Sequence, residues 1–381
     1  MNRERFPGLR DGWARLDGPA GTQMVDTAID AMSDWMRSGR NANHGGLFDA
    51  GRATDELVVS ARATAGELLG ADPQGVVFGP NMTSLTLKFA AAAGRALQPG
   101  DEIVCTRLDH DANVGPWLIA AERAGATVRF AEPDRETLEL PLSALEAVLS
   151  ERTRWVAVTA ASNAVGTIPD VAAIVAAAHA AGARTYVDAV HATPHRRLDV
   201  AALATDVLVC SPYKWFGPHA GVLCASPELL EELTPDKIRP APDRGPDRWE
   251  TGTASFEAIA GIRAAAEYML ELDWNAVEAH EKALLGVLLA GLATIDGVQL
   301  HGAPEDRAPT VMFSVERHTA DEVARRLAAA QVAVWHGNYY AWELGRFLGL
   351  GDDGAIRAGV VHYNEPADVE RLLAAVEAAA A

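Results

Sequence analysis

The chain is short of thiols, of positive charge and of long apolar runs, and each shortage closes off a class of function. Its three cysteines, Cys105, Cys210 and Cys224, each end or sit inside a short apolar run, and no CxxC or other metal-ligand spacing connects them. They read as buried thiols, with no metal site. Lys and Arg number 33 against 52 Asp and Glu, a formal charge of −19. That field repels nucleic-acid phosphates and anionic membrane surfaces, and no basic patch overrides it, so neither is expected as a partner. The opening residues 1–7 lack the apolar core of a signal peptide, and the most apolar later stretch, residues 172–183, is Ala-rich and broken by His179. A cytoplasmic location is the default expectation.

What remains is an ordinary globular composition, 49% hydrophobic and 22% charged over 381 residues, enough for one large domain and a smaller one. From about residue 75 to 225, apolar runs alternate with helical patterns: residues 76–78, 103–105, 128–130, 155–159, 185–187, 207–210 and 222–224 read as strands, with helices after Thr83 and Asn113 and from Asp170. Such alternation implies parallel strands with crossover helices, a sheet covered on both faces. Beyond residue 255 come long Ala- and Leu-rich helices, a strand at 310–315, a helix from Ala320, a strand at 356–362 and an amphipathic helix from Glu365, the pattern of a smaller α+β unit. Residues 374–381 read as a fraying helix end.

Two strand ends carry chemistry. Residues 185–191 place Asp188 at the C-terminal tip of an apolar strand, where ligands of α/β sheets bind. Residues 207–218 run a second strand into Lys214, framed by Tyr213, Trp215 and Phe216. An apolar setting disfavours an ammonium, and a desolvated lysine is a Schiff-base candidate. Read alone, Asp188 is equally a helix cap or turn residue, and Lys214 a surface lysine.

Together, the strand ending in Asp188 and the Ser211-x-x-Lys214 segment resemble the aminotransferase class V family of pyridoxal-phosphate (PLP) fold type I enzymes, and within it the cysteine-desulfurase-like branch. The resemblance runs from residues 16–23 to Arg357. It implies an α/β fold with a large, mainly parallel seven-stranded-sheet domain and a smaller α+β C-terminal domain. Residues 1–20 are then an N-terminal segment packing with the small domain, 21–260 the large PLP-binding domain and 261–381 the small one.

The resemblance also implies roles. Lys214 carries pyridoxal 5′-phosphate as a Schiff base, Asp188 keeps the pyridine nitrogen protonated, and His110 lies flat on the ring and can relay a proton. His191 stands where the family has a Gln facing the cofactor's 3-hydroxyl, and Asn163 contacts substrate and cofactor. Residues 78–84, with Met82 and Thr83 opening a helix, offer backbone N–H groups to the phosphate. Ser211 and Tyr213 are further phosphate contacts, and Thr253 reaches the partner's phosphate in a homodimer with shared sites. Arg357 grips the carboxylate of an α-amino acid substrate, and Asn43 and His44 line the substrate pocket.

The chain departs from the family at residues 335–341, the place of the desulfurase's persulfide-forming cysteine, where Tyr340 stands instead. A β-elimination lyase cleaving a C–S bond needs no such thiol and is the leading expectation. An aminotransferase or epimerase would use the same carbanion, and a non-catalytic partner protein would keep only the fold. A dinucleotide enzyme is set aside because no G-x-G-x-x-G opens a helix.

Overall fold

The computed structural model describes residues 2–381. Seven apolar runs form strands β1 (Val76–Gly79), β2 (Glu102–Thr106), β3 (Thr127–Ala131), β4 (Thr153–Thr159), β5 (Arg184–Asp188), β6 (Val207–Cys210) and β7 (Gly221–Ala225). They make one sheet in the order β1-β7-β6-β5-β4-β2-β3. Neighbours β3, β2, β4, β5 and β6 run parallel, while β7 is antiparallel to both β6 and β1. The sheet is thus the mainly parallel one expected, with β7 its antiparallel member. Only six residues separate its start from Lys214, too few for a crossover helix, so the chain has to run back.

The helices that matter are α1 (Asp26–Arg37), α2 (Asp49–Leu69), α3 (Met82–Gly94), α4 (Gly115–Ala124), α5 (Val171–Ala180), α6 (Phe256–Leu270), α7 (Trp274–Leu292), α8 (Ala320–Ala329), α9 (Trp342–Leu348) and α10 (Pro366–Ala380). One face of the large sheet packs on α3 and α4 around Phe89, Trp117 and Trp155, and the other on α2, α5 and α6. With both faces covered, β5 and β6 are almost wholly buried, which explains their uninterrupted apolar sequences.

A second sheet, in the order β10-β11-β9-β8, is antiparallel throughout: β8 (Val298–His301), β9 (Thr310–Val315), β10 (Trp335–Gly337) and β11 (Ala355–Gly359). Helices α7, α8 and α10 cover it. The last helix corrects one expectation. It continues to Ala380, and Leu372, Val376 and Ala379 on its inner face are buried, so the tail is packed rather than frayed.

Residues 14–22 tie the two units together. Ala14–Arg15 pairs in parallel with Val332–Ala333, and Leu16 O accepts from Gly359 N at 2.8 Å. Further on, Thr22 N donates to Tyr213 O at 2.9 Å. Gly359 permits this passage, because a Cβ there would lie 2.4 Å from Pro19 Cγ. Among the described residues no helix is long and apolar enough to cross a membrane.

Candidate active site

Parallel pairing of β5 with β6 sets Asp188 opposite Val209, so the strand ending in the carboxylate lies beside the one leading to the lysine. Past Cys210, Pro212 opens a single 3₁₀ turn, Pro212–Lys214, with its fixed φ at the first position. Of the chain's four lysines, Lys88, Lys214, Lys237 and Lys282, only Lys214 is buried. Trp215 and Phe216 beside it are fully buried, and Lys214 Nζ donates to the Pro19 carbonyl. Burial, and then the nearby Arg357 charge, bring the amine down to about 7, against the opposing pull of Asp188. Burial pushes the Asp188 carboxyl up to about 6, although Val190 N donates to it at 2.9 Å and Lys214 favours its charge.

The loop after β2 delivers His110. Its Nδ1 caps the following turn by accepting from Ala112 N at 3.0 Å. Burial and the Lys214 and Arg357 charges lower the imidazole to about 3, so the ring is neutral. Beneath it sits Asp109, fully buried, accepting from Thr106 Oγ1 and, at 2.7 Å, from Asn113 Nδ2. Desolvation holds the Asp109 carboxyl well above its usual range. These three braces were not singled out from the sequence. The signal was there, in polar residues spaced through a buried strand end.

At the opposite end of the lysine turn, β1 runs through a short turn into α3. Asn81 caps the helix, accepting from Ser84 N at 2.8 Å, Met82 is buried and Thr83 is exposed. The start of β7 lies close against this turn, since a Cβ on Gly221 would come within 2.4 Å of the Asn81 carbonyl carbon. Ser211 is buried. Tyr213 stacks on His219, with centroids 5.1 Å apart. Thr253 lies exposed on the loop before α6, and Asn43 and His44 are exposed on the loop between α1 and α2. His44 packs against Phe256, at 6.1 Å between centroids. Within the single chain, these three are not drawn into the pocket beside Lys214.

Arg357 reaches the site from β11. Buried to 4% exposure, it donates from Nη1 to Asn163 O at 2.8 Å, and burial lowers it to about 10. Asn163 Nδ2 donates to Tyr339 O at 3.0 Å. Tyr340 stacks on His110, with centroids 5.4 Å apart and planes inclined by 25°, and its carbonyl accepts from Asp111 N at 2.7 Å. All three cysteines are buried, in β2, β6 and β7.

His191 has one nitrogen committed, Nε2 to Thr310 Oγ1 at 2.9 Å. Its ring meets His195 edge-on at 5.3 Å, and His195 pairs through Nδ1 with Glu281 at 2.9 Å. This buried pair links the large sheet to α7, and no local pattern announces a contact between residues so far apart in sequence.

Four buried polar atoms around Lys214 have no protein partner: Ser211 Oγ, His191 Nδ1, Asn163 Oδ1 and Arg357 Nε. Buried polar atoms are rarely left unpaired. With the lysine, the carboxylate and the first N–H groups of α3, they form a donor and acceptor set that fits pyridoxal phosphate and a carboxylate-bearing substrate.

Comparison with known proteins agrees. The family model for aminotransferase class V matches residues 14–372. An uncharacterised protein of Mycobacterium tuberculosis is 33% identical, covering 98% of this chain and 97% of its own. A cysteine desulfurase of Dickeya dadantii is 33% identical over 95% of this chain and 90% of its own. Among solved structures, the cysteine desulfurase CsdA of Escherichia coli is similar with a TM-score of 0.90 at 28% identity, over 99% of this chain and 97% of that one. A cysteine desulfurase of Thermococcus onnurineus reaches a TM-score of 0.92 at 26% identity, over 99% and 96%.

Proposed function

Since the chain belongs to the aminotransferase class V family, with pyridoxal 5′-phosphate as its cofactor, we propose that it is a C–S lyase that acts on an α-amino acid by β-elimination. The observation that carries this reading is the buried Lys214 beside the buried Asp188, in a chain whose thiols all lie inside core strands. When bound, the cofactor withdraws electrons from the substrate's Cα and so acidifies its proton.

Each residue then has a task. Lys214 holds the cofactor through Nζ. As a free amine that titrates at about 7, it would be substantially neutral at physiological pH and would take the Cα proton. Asp188 holds a proton on the pyridine nitrogen. His110, a neutral imidazole, would lie against the bound cofactor and would accept a proton in transit. His191 Nδ1, free of any protein partner, meets the 3-hydroxyl. Ser211, Thr83, Tyr213 and the first N–H groups of α3, beginning at Met82, bind the phosphate. Arg357 and Asn163 hold the substrate carboxylate, and Tyr340 walls the side-chain pocket. Asn43, His44 and Thr253, exposed in one chain, face the neighbouring site in a homodimer.

The test is to load the purified protein with PLP, follow its visible absorbance, and assay pyruvate and ammonia from L-cysteine, cystine and cysteine conjugates. Elimination releases both products and leaves the cofactor in its starting form. Accumulation of pyridoxamine phosphate instead would mark a transaminase.

A further inference from the structure

The turn from β10 into α9 holds two successive non-glycine residues in the left-handed region, Tyr339 at φ 51° and Tyr340 at φ 59°. Such backbone persists only where its surroundings over-determine it. For Tyr339 the surroundings are the carboxylate end of the proposed site. Antiparallel pairing of β10 with β11 sets Trp335 opposite Arg357 and Gly337 opposite Ala355, which folds the turn back over the arginine.

Three contacts then fix Tyr339. Its hydroxyl donates to the Ala355 carbonyl, its own carbonyl accepts from Asn163 Nδ2 at 3.0 Å, and its ring lies 4.6 Å from the Arg357 guanidinium carbon. Arg357 Nη1 donates back to Asn163 O at 2.8 Å. The three residues therefore close a ring of contacts, with Tyr339 only 7% exposed. A guanidinium carries its N–H donors on its edge and offers only its faces to a stacked ring. A contact through the ring face consumes no donor, and Arg357 Nε remains buried and unpartnered.

We propose that Tyr339 is a positioning residue that sets the plane of Arg357 for a planar carboxylate, and so makes the pocket choose α-amino acids over the corresponding amines. This rests on the reading of Arg357 as the carboxylate fork. The stacked contact is desolvated, the setting in which a cation over an aromatic face is worth about tenfold or more in affinity.

The experiment titrates PLP-loaded protein with L-alanine and, separately, with ethylamine, reading half-saturation from the cofactor's absorbance. Wild type should half-saturate at a lower concentration of L-alanine. Tyr339→Leu should raise the L-alanine value about tenfold and leave the ethylamine value within about twofold. Tyr339→Phe, which keeps the ring, should restore wild-type preference. Tyr339→Met replaces the leucine variant if that one does not fold. If Tyr339→Leu leaves the preference intact while Arg357→Ala abolishes it, Tyr339 does not position the arginine and the proposal falls, with the carboxylate reading untouched. If Arg357→Ala leaves the preference intact, the carboxylate reading itself falls and takes the proposal with it.

Discussion

Compared with the seven-stranded sheet, whose strands β5 and β6 are covered on both faces, the four-stranded sheet is smaller, and its loop after Gly337 holds two adjacent tyrosines in left-handed backbone. Lys214, Asp188 and the brace under His110 belong to the first setting; Arg357, Tyr339 and Tyr340 belong to the second. The groups proposed to hold and use the cofactor are set in close-packed material that resists displacement. Of the groups proposed to choose a substrate, Arg357 lies in the buried strand β11, whereas Tyr339 and Tyr340 sit on a turn in left-handed backbone. Chemistry and selectivity should therefore respond differently to mutation.

The hardest test of that division is Lys214→Ala. Removing a positioned base costs about 10²–10⁴-fold, so product release should fall by roughly three orders of magnitude. In the wild type, the rate should climb as pH rises through about 7, because the amine works as a base only when neutral. A flat profile across that region would separate Lys214 from proton removal.

Asp188→Asn should act in two opposed directions. Activity should fall by about 10²-fold or more, as for removal of one charge-stabilising group. Stability of the cofactor-free protein should rise. A carboxyl pushed from 3.8 up to about 6 on folding ionises more readily in the unfolded chain, so the fold loses stability as pH climbs through that window and stays lower above it. The penalty is on the order of 2–3 kcal/mol, and the asparagine variant should escape it, visible as a higher Tm at pH 7.

Tyr340→Gly probes the other region. The left-handed residue costs about 1–2 kcal/mol with a side chain and almost nothing as glycine, while the lost stacking on His110 offsets about 0.5–1.5 kcal/mol. Tm should hardly move, and the ratio of rates between amino acids with small and large side chains should shift by a few-fold. Smallest of all should be Cys210→Ala or Cys224→Ala. Turnover should stay on the order of wild type, because a thiol inside a strand is no nucleophile for this reaction. Its loss would return a sulfur-transfer mechanism to consideration.

This contrast also decided what could be read from residues alone. Strands of the large sheet announced themselves as apolar runs, and Asp188 and Lys214 as polar interruptions at their ends. The direction of β7 was hidden, because periodicity carries no sense of up or down; only the short link from Lys214 betrays it. Tyr339 was passed over although it adjoins Tyr340, since its value lies in a register between β10 and β11 that one sequence does not state. His195 and Glu281 look like ordinary surface residues until two distant segments meet. The buried inner face of α10 at Val376 and Ala379 was mistaken for fraying because alanines carry little hydrophobic contrast.

The extended passage through residues 14–22 has a kinetic consequence. Hydrogen bonds from Gly359 to Leu16 and from Lys214 to Pro19 join the beginning of the chain to its middle and near-end, the most costly kind of loop to close. During synthesis the lysine turn and the sheet that carries it can assemble well before β11 exists. The bond from Gly359 to Leu16, and the arginine that β11 carries, must then arrive as a late step. A refolding experiment should find near-native secondary structure ahead of any ability to retain PLP.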